Sequence, residues 1–152
     1  HATELGVHAI VPCLFARCVA RPDNFAPRLE RLRKIARESA MQSGRTLIPR
    51  VEMPISFQEL AGRLPSHGLS LLAYEKEDSL GLRQVYQGEM DAALVIGPEG
   101  GLEEAEVQAL PAKPVTLGRR ILRTETAGIA AAAVLLSMAD FEEYKRMKHT
   151  IG

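Results

Sequence analysis

Apolar positions along the chain alternate between two spacings, short solid runs and stretches repeating every three or four residues. Thr3 to Gly6 reads as a helix end, and His8 to Leu14 as a strand. Over Phe25 to Ser43, the residues Leu29, Leu32, Ile35, Ala36 and Ala40 recur at helical spacing, and Gly44 supplies a stop. Ser56 to Leu64 predicts a short helix, with Ser56 as cap and Glu59 completing a capping box. Gly68 to Tyr74 and Asp91 to Ile96 are apolar enough to be buried strands, the second cut off by Gly97-Pro98. Leu102 to Leu110 predicts an acidic helix closed by Pro111, Pro114 to Leu117 a last strand, and Thr124 to about Tyr144 a long apolar helix.

Strands alternating with helices predict an α/β fold with a mainly parallel sheet flanked by helices. Solid apolar strands fit a sheet covered on both faces. No repeat or linker divides the chain, so residues 1–152 are expected to form a single domain. Ligands of such sheets bind beyond the carboxyl ends of the strands. That draws attention to the loops Tyr74–Glu77, Gly97–Gly101 and Gly118–Thr126, where Gly and charged residues are densest.

Composition narrows the class further. The 152 residues are 46% hydrophobic and 25% charged, which excludes disorder and collagen-like architectures. Nineteen Lys and Arg balance nineteen Asp and Glu, so the protein is not built to coat nucleic acid by bulk attraction. Aromatics at 5% with no Trp disfavour a base-stacking platform. On totals alone the chain reads as a soluble small-molecule enzyme. It starts at His1 without an initiator Met, as expected of a fragment or processed product, and no signal-peptide order follows. The most apolar stretch, Ala127 to Leu136, is too short to cross a bilayer, so no membrane is expected. Cys13 and Cys18 fit no common zinc or redox spacing, and His1, His8, His67 and His149 are scattered, so no metal is expected. Buried free thiols and a cytoplasmic setting are the simplest reading.

Three segments carry candidate chemistry. Ile96-Gly97-Pro98-Glu99-Gly100-Gly101-Leu102 allows close backbone approach to a ligand, yet it matches neither the dinucleotide fingerprint nor a phosphate P-loop. Taken alone, a tight strand-to-helix turn explains it equally well. In Leu117 to Ala127, Thr124 suits a helix N-cap and Glu125 the helix dipole, so capping accounts for both. Capping does not account for Arg119, Arg120 and Arg123, three arginines within five residues before a buried helix. Arginines placed so suit an anionic partner or a developing oxyanion. Arg28 to Glu38 holds five basic and two acidic residues, ordinarily a solvated face, here also a possible nucleic-acid surface.

Together Thr3-Glu4-Leu5-Gly6-Val7, Gln42-Ser43-Gly44-Arg45, Ile96 to Gly101 and Leu117 to Ala127 resemble the RsmE family of the SPOUT superfamily of RNA methyltransferases, in order and rough spacing. The resemblance implies methylation of uridine N3 in 16S ribosomal RNA of the small subunit, with S-adenosylmethionine as donor. It implies a SPOUT-type α/β fold with a C-terminal deep trefoil knot, acting as a homodimer. The family also carries an N-terminal PUA-like barrel that helps bind RNA, which is expected to be absent from residues 1–152. Another SPOUT methyltransferase with a different target, or a non-catalytic RNA- or ligand-binding module, is the alternative.

Carried over by motif, the resemblance assigns the cofactor to Leu72, Ala73, Ile96, Gly97, Pro98, Glu99, Gly101, Leu117, Gly118, Leu122, Thr124, Glu125, Thr126 and Ala127. Leu72, Leu117 and Leu122 would cover the adenine faces, and Glu99 or Glu125 would lie near the sulfonium charge. Arg120 and Arg123 are the catalytic candidates, stabilising charge on the uracil carbonyls as the N3 proton leaves. Arg17, Gln42, Ser43 and Arg45 are assigned to RNA. No general base is evident. Overall neutrality then averages basic patches, at Arg28–Arg37 and Arg119–Arg123, against acidic Glu99–Glu106.

Overall fold

The structure is a computed structural model that describes residues 1–18 and 24–150. His149 falls where side chains are not described. In chain order the elements are α1 (Ala2–Leu5), β1 (Ala9–Ile10), β2 (Cys13–Leu14), α2 (Ala26–Gln42), β3 (Arg50–Val51), β4 (Ile55–Ser56), α3 (Phe57–Arg63), β5 (Leu69–Ala73), α4 (Leu82–Val85), β6 (Ala92–Ile96), α5 (Glu104–Ala109), β7 (Lys113–Val115) and α6 (Thr124–Thr150). A 3-10 turn, Leu64–Ser66, follows α3.

Every named strand pairing is parallel. β5 lies between β6 and β7, while β1 pairs with β3 and β2 with β4 in two-residue ladders. The single strand expected over His8–Leu14 is therefore two pieces with Val11 and Pro12 between them. Proline has no amide to donate, and the Pro12 carbonyl instead accepts from the Ile55 amide at 2.9 Å.

β5 explains why its sequence is a solid apolar run. Adjacent side chains on a strand point to opposite faces. Leu72 enters a cluster with Phe15, Leu64, Val95, Leu102 and Leu110, against which Phe57 and Leu60 of α3 pack. Leu71 joins Leu82, Val85, Val115, Ala131 and Leu135 on the other side, under α4 and α6. Both leucines are fully buried. A third cluster, Phe25, Leu29, Ala36 and Val51, seats α2. Ile35, read as part of that apolar face, is 47% exposed.

Local signals hold where their chemistry is complete. Ser56 caps α3 by accepting from the Glu59 amide at 3.2 Å, and the Glu59 carboxylate accepts from the Ser56 amide at 2.8 Å. The Ser56 amide, and the Ser56 hydroxyl that donates to the same carboxylate oxygen at 2.8 Å, hold the Glu59 carboxyl below its ordinary range. Gly44 ends α2 in the left-handed region at φ +68°. Cys13 and Cys18 are free and half-buried, and burial above all pushes the Cys13 thiol up to about 11.

α6 runs longer than its apolar stretch. Over Thr124–Lys148 it is long and apolar enough, by length and composition, to cross a bilayer. Ala127, Ala131, Ala132 and Leu135 of α6 are buried in this fold, and most of its apolar stretch is not.

Arg45 ties the first elements together. Its guanidinium donates to the carbonyls of Thr3 at 2.7 Å, Gly6 at 3.1 Å and Val7 at 3.2 Å, satisfying the C-terminal end of α1. Replacing Arg45 by Ala is expected to cost about 1–3 kcal/mol, read as a lower denaturation midpoint in urea with unchanged slope.

Candidate functional site

Three strand ends converge on one cleft of about 740 Å³, lined by residues 73–75, 96–101, 116–125 and 127. Its position beyond the carboxyl ends of β5, β6 and β7 is where an open parallel sheet exposes loop backbone. The wall is partly apolar, through Ile96, Leu117, Leu122 and Ala127. Its charged side chains are Glu75, Glu99 and Glu125 against Arg119, Arg120 and Arg123, so the cleft holds cation- and anion-binding groups side by side.

The Gly-rich turn owes its shape to contacts that forbid larger residues. A Cβ on Gly97 would stand 2.9 Å from Cγ of Leu102, a core side chain. Gly101 lies at φ +74°, and its amide donates to the Pro98 carbonyl at 2.9 Å to close the turn. Gly118 lies at φ +109° in the third loop.

Thr124 links the second and third loops. It is the first residue of α6, and its hydroxyl donates to the Gly97 carbonyl at 3.2 Å. The sequence places Thr124 as the cap before the helix; the helix takes it in as its first residue, and its hydroxyl bond to Gly97 seats the start of α6 on the Gly-rich turn.

Most residues assigned to the cofactor by motif come together here: Ala73, Ile96, Gly97, Pro98, Glu99, Gly101, Leu117, Gly118, Leu122, Thr124, Glu125 and Ala127, with Arg120 and Arg123. Leu72 does not. Its side chain points into the core, because β5 alternates and its neighbour Ala73 takes the cleft side. Thr126 is exposed and outside the lining. Tyr74, Glu75, Gly100, Arg119 and Ile121, expected there only as parts of the strand-end loops, also line the cleft, and so does Thr116, which lies outside those loops.

Arg17, Gln42, Ser43 and Arg45 lie outside the cleft lining. Arg17 donates to the Gly100 carbonyl at 3.3 Å and pairs with Glu103 at 3.5 Å. The Ser43 hydroxyl donates to the Ser39 carbonyl at 2.8 Å at the end of α2, and Gln42 is exposed. Arg45 makes three hydrogen bonds to backbone carbonyls in and just after α1. Among the described residues no group of three His, Cys, Asp or Glu is placed to hold a metal ion.

Residues 1–136 match the family of RNA methyltransferase domains. The chain belongs to that family. It is 40% identical to ribosomal RNA small subunit methyltransferase E of Bacillus subtilis over 145 residues, covering 88% of this chain and 57% of that protein. The same-named protein of Rickettsia conorii is 34% identical over 137 residues, covering 87% of this chain and 54% of that protein. Among solved structures, a putative methyltransferase of Legionella pneumophila with the cofactor S-adenosylmethionine bound superposes with a TM-score of 0.84 at 32% identity, over 90% of this chain and 58% of that one. The methyltransferase E of Neisseria gonorrhoeae bound to S-adenosylmethionine gives 0.82 at 36% identity, over 90% and 57%. The chain thus spans a little over half the length of the relatives it matches.

Proposed function

We propose that residues 1–152 form the catalytic domain of a methyltransferase that uses S-adenosylmethionine to methylate N3 of a uridine in 16S ribosomal RNA of the small subunit. The observation that carries this reading is the cleft itself. The two family motifs, about twenty residues apart, meet in one pocket whose backbone is opened by Gly97, Gly101 and Gly118. Its volume suits a nucleoside-sized ligand, and its wall mixes apolar side chains with a few polar groups, as small-molecule sites do. Relatives sharing the fold bind this cofactor.

In this reading Ile96, Leu117, Leu122 and Ala127 cover the apolar faces of the cofactor, and the 97–101 backbone serves its polar edge. Glu99 or Glu125 holds the cationic part by electrostatics. The bound cofactor supplies an electrophilic methyl group. Arg120 and Arg123 are exposed residues of the same cleft, and in this reading they stabilise negative charge on the uracil carbonyls once the imide proton has left. RNA reaches the cleft over basic side chains of α2 together with Arg17, Gln42, Ser43 and Arg45. Arg17 and Arg45 serve there while also holding the fold.

The β6-β5-β7 order, and the seating of α6 on the Gly-rich turn through Thr124, support a C-terminal trefoil knot. Val134, Phe141, Tyr144 and Met147, left exposed on α6, support a homodimer through that helix. A cytoplasmic site of action follows from an RNA substrate in the small subunit.

Titration calorimetry is expected to show one S-adenosylmethionine per chain, and nucleoside mass spectrometry of small-subunit RNA from cells lacking the gene to show N3-methyluridine missing and restored on complementation. Retained N3-methyluridine in those cells refutes the product. Absence of cofactor binding refutes the enzyme and leaves a pure RNA-binding module.

A further inference from the structure

Glu106 is the one buried charged side chain among the described residues, at 8% exposure. Burying a carboxylate is costly unless its oxygens are well bonded. One oxygen accepts from the Glu103 amide at 2.9 Å, closing a capping box at the start of α5. A capping box alone does not require burial, since Glu59 makes the same box in α3 while exposed. The difference lies in the second oxygen of Glu106, which accepts from the Ala16 amide at 2.8 Å, ninety residues away in sequence.

That bond docks residues 15–18 against the outer side of the Gly-rich turn. Arg17 then donates to the Gly100 carbonyl at 3.3 Å and pairs with Glu103 at 3.5 Å. The approach is close: a Cβ on Gly100 would stand 3.0 Å from both the carbonyl oxygen and the Cβ of Arg17. The Arg17–Glu103 pair is half-exposed and contributes little to stability by itself. Its use is geometric, because it grips the segment whose other side lines the cleft.

We propose that Glu106 is a positioning residue for the cofactor turn. Its buried carboxylate locks Gly97–Glu103 to Ala16–Arg17 and so sets the backbone that faces the ligand. The proposal rests on the S-adenosylmethionine reading of the cleft. A carboxylate suits the role because both its oxygens accept, so two amides from distant segments are satisfied by one rigid group.

The test uses Glu106→Gln, which keeps the shape but turns a donor toward one of the two amides, and Arg17→Ala, which releases the outer grip without entering the core. For wild type and both variants the S-adenosylmethionine Kd is measured by calorimetry well below the unfolding temperature, with Tm and amide hydrogen exchange of residues 97–103 in the ligand-free chain. Glu106→Gln is expected to weaken binding about tenfold, the scale of one charge-assisted hydrogen bond. Arg17→Ala is expected to weaken it less, and both variants to speed exchange in the turn. A folded Glu106→Gln variant with wild-type Kd and wild-type exchange in 97–103 overturns the proposal, even with a lower Tm, since a merely stabilising residue would behave so. If the wild-type chain binds no S-adenosylmethionine, the cofactor reading falls, and the proposal with it as a statement about that ligand. The exchange data then still tell whether Glu106 holds the turn.

Discussion

Replacing Arg123 by Ala is expected to lower methyl transfer to uridine N3 by about 10²–10³-fold, the scale of removing one donor aimed at developing negative charge. The assay uses the complete protein and small-subunit RNA at saturating cofactor. Arg123 lines the cleft and is exposed, so its loss should change stability by no more than about 0.5 kcal/mol. S-adenosylmethionine binding should survive, because the groups assigned to it are backbone, apolar wall and carboxylates. The separation is what makes the result informative: a fall in turnover with unchanged Kd places Arg123 on the reacting base. Unchanged turnover removes it from the chemistry and leaves Arg120, in the same cleft, as the remaining candidate. A parallel loss of turnover and cofactor affinity would instead mean that Arg123 shapes the pocket.

Leu72→Ala is expected to lower stability by about 2–5 kcal/mol, as for other fully buried leucines. For a domain of this size that is a fall in Tm of roughly 5–15 °C. Leu72 has no exposed surface and is buried in one cluster with Phe15, Leu64, Val95, Leu102 and Leu110. Deleting its side chain leaves a void that the surrounding helices and strands can only partly close. The experiment also separates two placements of the same residue. A side chain covering the cofactor would, when truncated, raise Kd with little change in Tm. A core side chain lowers Tm and leaves Kd, measured on folded protein, within a few-fold of wild type.

That case shows where reading the chain stopped. Leu72 stands beside Ala73 at the end of a strand whose loop lines the cleft, and both were drawn into the site by their position in a motif. Period-two alternation decides which of the pair faces the ligand, and alternation has no visible phase in a run apolar at every position. The outer strands were illegible for a related reason. β3 and β4 are two residues each, too short for any period, and they exist because Arg50–Val51 and Ile55–Ser56 find partners forty residues earlier. Thr124 is a further instance: its type suits a helix start, and only the fold brings the Gly97 carbonyl to accept from its hydroxyl.

Elements whose causes are local were determined by the sequence alone. The Ser56–Glu59 capping box, the Gly44 stop, the solid strands β5 and β6, the Ala-rich start of α6 and the alternation that makes the fold α/β all depend on neighbours within a few residues. The cleft was also legible in outline, because parallel sheets expose ligand sites at strand ends and glycines had collected in those loops. Tertiary structure alone decided which side of β5 faces the cleft, that Arg45 closes α1 rather than standing free, and that a carboxylate on α5 grips Ala16. The Arg45 and Glu106 contacts join groups 38 to 90 residues apart. Their energy comes from pairing polar groups in excess of the cost of desolvating them, or from filling space, and neither exists until the chain has brought both partners together.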